Sequence, residues 1–143
     1  MLFRSMHKDT AELNQLLLGQ HMAIDSLRDY INAAHSPSVR GKLEETLQAH
    51  ESQAEELADH IRGLGGAPQE SRGMAGVMRT AKTRLSLTVD SSDHHIISTL
   101  ITGEEMGIDE EIKALKSVSE KSRPLVQKHI TENKALLEAL RQI

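Results

Sequence analysis

The chain has 143 residues and a formal net charge of −4, with a sequence pI near 6.0. This length suits one domain with its own core, and the mild acidity argues against a protein that coats nucleic acid or an anionic membrane. Cysteine is absent, which excludes disulfides, thiolate metal sites, iron–sulfur clusters and cysteine nucleophiles. Aromatic residues are limited to Phe3 and Tyr30, whereas histidine occurs 8 times, so any chemistry must come from histidine, carboxylate and hydroxyl groups.

Four stretches carry apolar residues three or four positions apart, which predicts helices over about residues 10–34, 37–64, 92–116 and 123–142. Asp9 or Thr10 is expected to cap the first helix. The second begins with Ser36 as N-cap and Pro37 in its first turn, and Gly65-Gly66 ends it. Serines are also expected at the starts of the last two helices. The residues predicted to face inward there are Ile97, Ile101, Ile108, Ile112 and Leu115 in the third helix and Leu125, Leu136, Ala139 and Ile143 in the fourth.

A crossover of residues 67–91 separates the second predicted helix from the third. A structureless loop of this length is uncommon in a compact domain, and four of its apolar residues have helical spacing, so a short helix is expected across one end of the molecule. These residues are Met74, Met78, Ala81 and Leu85. Short, long and short connections predict an all-α four-helix bundle, with residues 1–143 forming a single domain.

The two halves of the chain resemble each other. Residues 16–25 read LLLGQHMAID and residues 100–109 read LITGEEMGID, an offset of 84. Residues 47–53 read LQAHESQ and residues 126–132 read VQKHITE, an offset of 79. The sequence therefore predicts two copies of one helical hairpin about a pseudo-twofold axis.

Polar residues interrupt the apolar inward faces at one common level. Burying a carboxylate or imidazole without a partner costs several kcal/mol, so these side chains must satisfy one another, bind water or bind a cation. A divalent metal is one solution, because it balances two carboxylates and accepts imidazole nitrogens. The candidate metal ligands at this level are Gln20, His50, Gln53, Glu104, His129 and Glu132.

This polar level, with Leu64-Gly65-Gly66 after the second helix and Gly103-Glu104-Glu105 in the third, resembles ferritin-like carboxylate-bridged bundles. The similarity is greatest to small bacterial ferritin-like proteins linked to stress responses. It implies a ferritin-like fold, a metal site and a homodimer. The chain departs from the di-iron pattern of these bundles, since Gln20 replaces an expected glutamate. His50-x-x-Gln53 lacks a carboxylate, and His129-x-x-Glu132 reverses the usual order.

Glu104 and Glu132 together supply a charge of −2, which suits one divalent ion such as Fe, Mn or Zn. Without bridging carboxylates, two cations about 3.5–4 Å apart would repel strongly. We therefore expect at most one metal per chain or a vestigial site, and no efficient di-iron oxidase. Weak redox activity stays open, and no small-molecule substrate is identifiable. The alternative is a metal-free structural or protein-interaction bundle.

Rotation of the helices would change the ligand set. His21 or Glu105 would then replace Gln20 or Glu104, and further glutamates expected to be exposed would become available. These are Glu44, Glu45, Glu51, Glu55, Glu56, Glu110 and Glu111. No apolar run approaches the ~18–20 residues of a membrane span, and the first residues lack the apolar stretch of a signal peptide. A cytoplasmic protein without nucleic-acid or membrane partners is expected.

Overall fold

The computed structural model describes residues 2–70, Lys82 and residues 84–143, and the side chains from Arg4 onward within them. The described residues form four long helices, α1 (Leu2–Ala33), α2 (Pro37–Gly63), α3 (Asp93–Ser117) and α4 (Arg123–Arg141). Helix α1 packs mainly on α2 and α3 on α4, while α1 and α3 provide most contacts between the two hairpins. This architecture confirms the predicted all-α bundle.

Local signals at both ends of α2 and at the start of α3 act as predicted. The hydroxyls of Ser36 and Ser92 each accept a hydrogen bond from the main-chain N–H three residues later, at 3.5 and 3.2 Å, and so cap α2 and α3. After α2, Gly65 has φ +84°, a conformation that glycine adopts without strain. The Gly66 N–H then donates to the Ile61 carbonyl at 3.0 Å, which completes a glycine-dependent helix end.

The first helix begins at Leu2, not near residue 10, so the prediction that Asp9 or Thr10 caps it is wrong. Asp9 lies inside α1 and is 1% exposed. Its carboxylate accepts hydrogen bonds from the Ser119 N–H at 2.8 Å, the Ser119 hydroxyl at 2.5 Å and the Ser122 hydroxyl at 2.6 Å. Asp9 therefore fastens the loop between α3 and α4 to α1.

A matching contact fastens the other hairpin loop. The Asp93 carboxylate at the start of α3 accepts from the His35 N–H at 2.8 Å and from the next N–H at 2.9 Å. Asp93 follows Asp9 by 84 residues, and Ser119 follows His35 by the same number. The pair of contacts thus relates the two halves by the offset of the sequence repeat, and it supports a duplicated hairpin.

Several inward positions of α3 and α4 lie one residue away from those predicted, whereas Ile108 is buried as predicted and Ile143 is exposed. Apolar residues occur in neighbouring pairs in α3, such as Ile96 with Ile97 and Leu100 with Ile101, so two rotations about 100° apart bury similar apolar area. The structure buries the first member of each pair. The buried residues of these helices are Ile96, Leu100, Glu104, Ile108, Glu111 and Ala114 in α3, and Val126, His129, Ile130, Asn133, Leu137 and Leu140 in α4.

Two apolar clusters fill the bundle on either side of a polar layer. One includes Leu17, Leu57 and Val126, and the other includes Leu27, Leu43 and Ile96. Within the ranges that the structure covers, no helix has an apolar stretch long enough to cross a membrane.

The described end of the crossover is helical over residues 84–89. Arg84 pairs there with Asp29 of α1 at 3.4 Å, and Leu85 is 67% exposed. The other apolar residues of the predicted crossover helix, Met74, Met78 and Ala81, lie outside the described residues.

Candidate metal centre

The centre of the polar layer is a set of four buried side chains joined by hydrogen bonds: Gln20, His50, Gln53 and Glu104. His50 Nδ1 contacts Gln20 Oε1 at 2.6 Å, and His50 Nε2 contacts Glu104 Oε1 at 2.6 Å. Gln20 Nε2 donates to Gln53 Oε1 at 2.8 Å. Both ring nitrogens of His50 are therefore occupied by protein partners.

These contacts determine where the protons lie. An amide oxygen only accepts, so His50 Nδ1 must carry a hydrogen and donate it to Gln20. The contact between His50 Nε2 and Glu104 then holds one proton, as imidazolium with carboxylate or imidazole with carboxylic acid. In either form the pair is hydrogen-bonded without a metal.

Asn133 of α4 and Glu111 of α3, which are absent from the predicted ligand set, extend this layer. Gln53 Nε2 donates to Asn133 Oδ1 at 2.9 Å and to Glu132 Oε1 at 3.2 Å. Asn133 Nδ2 contacts the two carboxylate oxygens of Glu111 at 2.9 and 3.1 Å. Glu111 is 5% exposed, so the prediction that it is exposed is wrong. The seven-residue spacing of Glu104 and Glu111 was the available signal, since it places both on one helix face.

Burial raises the pKa of Glu111 to about 7. The hydrogen bond from Asn133 and the proximity of His50 oppose this shift, while the nearby carboxylates Glu104 and Glu132 add to it. Removal from water dominates because a carboxylate in the interior loses most of its hydration. Glu111 is thus an acid that changes charge near neutral pH.

His129 lies at the side of the bundle, where α4 faces α2. It is 1% exposed, and its Nε2 is a buried atom without a hydrogen-bond partner, the one such side-chain atom in the described part of the chain. The Glu56 Oε1 atom of α2 lies 3.4 Å away. Glu56, His129 and Glu132 each offer a ligand atom, and these three atoms lie within 4.8 Å of one another.

The protonation states at this side site suit a cation, although Lys128 competes with it for Glu56. The hydrogen bond from Lys128 to Glu56 Oε2, at 2.5 Å, lowers the pKa of Glu56. Burial lowers the pKa of His129 by more than the nearby Glu56 raises it, so its imidazole is neutral at neutral pH. Neutral imidazole and ionised carboxylate are the forms that bind metals.

The six predicted ligands are thus divided between two places. Gln20, His50, Gln53 and Glu104 form the central layer, and Glu132 is linked to it through Gln53. His129 faces Glu56 instead, a glutamate that sequence reasoning treated only as an alternative. Within residues 2–70 and 84–143, the group of Glu56, His129 and Glu132 is the one cluster of three such ligands.

The two alternative ligands, His21 and Glu105, have partners outside the polar layer. His21 Nε2 contacts the Gln69 carbonyl oxygen at 2.7 Å, and Glu105 pairs with Arg141 at 3.4 Å. Neither replaces Gln20 or Glu104.

A serine, a histidine and an aspartate also meet near the loop between α3 and α4. Ser122 donates its hydroxyl hydrogen to Asp9, so His60 Nε2, at 2.9 Å from the Ser122 oxygen, must be the donor. This polarity is opposite to that of a serine nucleophile activated by a histidine base, and Ser122 is 0% exposed. The grouping holds the loop in place, and His60 within it is half-buried.

The sequence model of a domain of unknown function, DUF2383, matches residues 8–117. The chain belongs to the DUF2383 family. In this DUF2383 chain the matched segment contains most of α1 and all of α2 and α3, with His50, Glu56 and Glu104, while His129 and Glu132 in α4 follow it. Comparisons with curated proteins and with solved structures gave no match.

Proposed function

We propose that this protein binds one divalent cation, Fe, Mn or Zn, between Glu56, His129 and Glu132. The observation that carries the proposal is the unpartnered Nε2 of His129, an atom buried beside two carboxylates. A buried polar atom without a hydrogen bond costs about 1–3 kcal/mol, and a coordinate bond to a cation removes that cost.

The ligand set matches such an ion in number and charge. One imidazole nitrogen and two carboxylate oxygens are ligands that Fe, Mn and Zn accept. The two carboxylates balance a charge of +2. Their present separation, within 4.8 Å, is close to that of donors around one ion at ~2.0–2.2 Å, so small side-chain rotations complete the site.

The central layer favours the second candidate function, a structural role without metal. Its histidine and both glutamines are hydrogen-bonded to protein partners across α1, α2 and α3. A ligand role for His50 requires breaking one of these bonds. We infer that this layer fixes the register of the helices, a role that buried polar residues have in other bundles.

Because the side chains of the central layer are already hydrogen-bonded to one another, we expect the protein to bind only one ion. A second cation would need His50 or Glu104, whose mutual contact is only 2.6 Å. We therefore propose that the site is a vestige of a di-iron centre and that the protein is not an efficient di-iron oxidase.

The proposal also includes membership of the ferritin-like superfamily. Two helical hairpins joined by a long crossover, with a polar layer at their centre, support membership of the ferritin-like superfamily. The resemblance of the sequence to small bacterial ferritin-like proteins is the ground for proposing a stress-related homodimer in the cytoplasm.

The first prediction is that Mn²⁺ or Zn²⁺ raises the melting temperature and that a chelator reverses the rise. At 100 times the dissociation constant, a ligand bound only by the folded form contributes about 2.7 kcal/mol, or about 5–10 °C for a chain of this size. Glu56→Gln should remove the rise. Glu55→Gln, which alters the exposed neighbouring glutamate, should keep it.

Elemental analysis of the purified chain and a third variant complete this test. One metal per chain is expected, so two irons per chain would contradict the proposal. His129→Leu should lose the metal response while the metal-free chain stays folded, because leucine removes the unpartnered nitrogen. Equal melting of the unmodified chain with metal and with chelator would leave the structural role as the better hypothesis.

The second prediction concerns Lys128, whose ammonium group competes with a cation for Glu56. Lys128→Gln should raise the affinity for Mn²⁺ about tenfold, because a positive charge at hydrogen-bond distance from a ligand opposes cation binding. Lys134→Gln, at an exposed position of the same helix, is the matched control. Titration calorimetry measures both, and an unchanged or weaker affinity in the Lys128 variant would place the cation away from Glu56.

A further inference from the structure

Gln53 joins the central polar layer to the proposed cation site. Its side chain is 1% exposed, and its Nε2 donates to Glu132 Oε1 at 3.2 Å and to Asn133 Oδ1 at 2.9 Å. Glu132 is one of the three proposed ligands. Because the donor is buried and fixed, its hydrogen bond restrains the Glu132 carboxylate before any cation binds.

The rest of the layer determines which way the Gln53 amide points. His50 Nδ1 donates to Gln20 Oε1, and Gln20 Nε2 donates to Gln53 Oε1 at 2.8 Å. The oxygen of Gln53 therefore faces Gln20, and its NH₂ group faces Glu132 and Asn133, so that both of its hydrogens have acceptors. A reversed amide would place an oxygen against the Glu132 carboxylate, with no hydrogen between the two acceptors.

The sequence repeat shows why a glutamine suits this position. The offset of 79 makes Gln53 the counterpart of Glu132, and the two side chains contact each other across the bundle. Two carboxylates at this distance would repel each other. The amide removes that repulsion and supplies a donor to the one carboxylate that remains.

The duplicated bundle thus has different residues at its two equivalent places. The set that corresponds to the three proposed ligands contains no carboxylate and consists of Ala135, His50 and Gln53. One half of the repeat therefore supplies acidic ligands, while the matching polar residues of the other half form hydrogen bonds that reach one of those ligands.

We propose that Gln53 is a positioning residue of the cation site, which holds Glu132 Oε1 so that the other carboxylate oxygen, Oε2, binds the ion alone. This inference rests on the proposed cation site. Hydrogen-bond partners of ligating side chains fix the orientation of the ligand, and their loss lowers metal affinity about 10- to 100-fold. The polar layer thus supports the cation site in addition to fixing the register of the helices.

The first test measures the Mn²⁺ affinity of the full chain by titration calorimetry. Gln53→Met keeps the length of the side chain but removes its donor and acceptor, so the affinity should fall at least about tenfold. Glu132→Gln, which changes the ligand itself, should lower the affinity further.

A control variant separates positioning from stability. Leu43 lies on the same helix, is 0% exposed and belongs to an apolar cluster, so Leu43→Ala destabilises the chain through its packing and leaves the hydrogen bonds of Gln53 in place. This variant should bind Mn²⁺ as tightly as the unmodified chain does.

Co²⁺ supplies a spectroscopic readout that stability alone does not change. In Gln53→Met the Glu132 Oε1 atom is released and binds Co²⁺ together with Oε2. A higher coordination number weakens the visible absorption of Co²⁺, so the variant should absorb less per bound ion than the unmodified chain. Leu43→Ala should keep the original spectrum.

Gln53→Asn tests the same contact with a smaller disturbance and serves if Gln53→Met does not fold. Asparagine keeps the amide in the layer, but its side chain is one methylene shorter and does not span the distance between Gln20 and Glu132. It should show the same loss of Mn²⁺ affinity.

The outcomes distinguish this inference from the cation proposal. Unchanged affinity and spectrum in the Gln53 variants, with loss of binding in Glu132→Gln, would overturn the positioning role and leave the cation proposal in place. An equal loss in Leu43→Ala, or unchanged affinity in Glu132→Gln, would also overturn the positioning role. If the unmodified chain binds neither Mn²⁺ nor Co²⁺, both proposals fail.

Discussion

Replacing Asp9 with alanine is expected to destabilise the protein by about 3–4 kcal/mol, because it leaves the half-buried donors of Ser119 and the buried hydroxyl of Ser122 without an acceptor. Each unsatisfied group costs about 1–3 kcal/mol. The carboxylate that these donors contact is 1% exposed, so water does not reach the vacated position freely. Urea denaturation at neutral pH, followed by circular dichroism, measures the loss.

Asp93→Ala is the matched control, since Asp93 makes the equivalent contact 84 residues later. Asp93 is only half-buried, and water can replace part of its interaction with the His35 N–H. Its loss should therefore be smaller than that of Asp9→Ala. Equal losses in the two variants would contradict the argument that burial of Asp9 sets its contribution.

Lowering the pH should remove the stabilisation of the folded state that the ionised Asp9 carboxylate provides. Burial acts to raise the pKa of Asp9, but the hydrogen bonds from Ser119 and Ser122 together outweigh it, and the pKa lies below its ordinary value of 3.8. A carboxylate with a lowered pKa stabilises the folded state above the unfolded value, and this part is lost as pH falls through the folded pKa. The stability difference between the unmodified chain and Asp9→Asn should therefore decrease below about pH 3.8.

Element order and helix ends could be predicted because local chemistry determines them. Ser36 before Pro37 and Gly65 after α2 need only their own backbone conformations to act. The rotation of α3 could not be predicted in this way, because the adjacent isoleucines Ile96 and Ile97 bury similar areas in either orientation. Only packing against the other helices decides between them.

The candidate site could be predicted in part, because some of its features are visible in the sequence of a single helix. Four of the predicted ligands do meet in one layer, since an interruption of an apolar face is visible in the sequence. Two further members of the layer were missed. Asn133 was not singled out, and Glu111 was expected to be exposed although its seven-residue spacing from Glu104 places both on one helix face. The separation of His129 from His50 was not predicted, because the repeat places the two histidines at equivalent positions. The difference between the halves is nevertheless present in the sequence, since Ala135 stands in α4 where the offset of 79 places the counterpart of Glu56.

Glu111→Gln is expected to stabilise the protein by about 2 kcal/mol at pH 8, an unusual gain for a buried substitution. The folded-state pKa of Glu111 is about 7 against an ordinary value of 4.5. The neutral acid is thus favoured in the folded protein, and the stability that it contributes below pH 4.5 is lost as pH rises through 7. A shift of this size corresponds to about 3 kcal/mol, of which an unsatisfied amide group of the glutamine offsets about 1 kcal/mol.

The gain from Glu111→Gln must disappear in acid, and this dependence separates it from a general packing effect. Near pH 4 the Glu111 carboxyl is largely protonated in the folded and unfolded states, so glutamine and glutamic acid are then close to equivalent in charge. Urea denaturation of both chains at pH 4, 6 and 8 measures the difference, with Glu110→Gln at the adjacent exposed position as control. A constant difference at all three pH values, or the same trend in the Glu110 variant, would show that the charge of Glu111 is not buried at the centre of the bundle. If the gain does follow pH, the polar layer holds this acid at a cost in stability above neutral pH, because its one described hydrogen-bond donor, Asn133, does not replace the lost hydration.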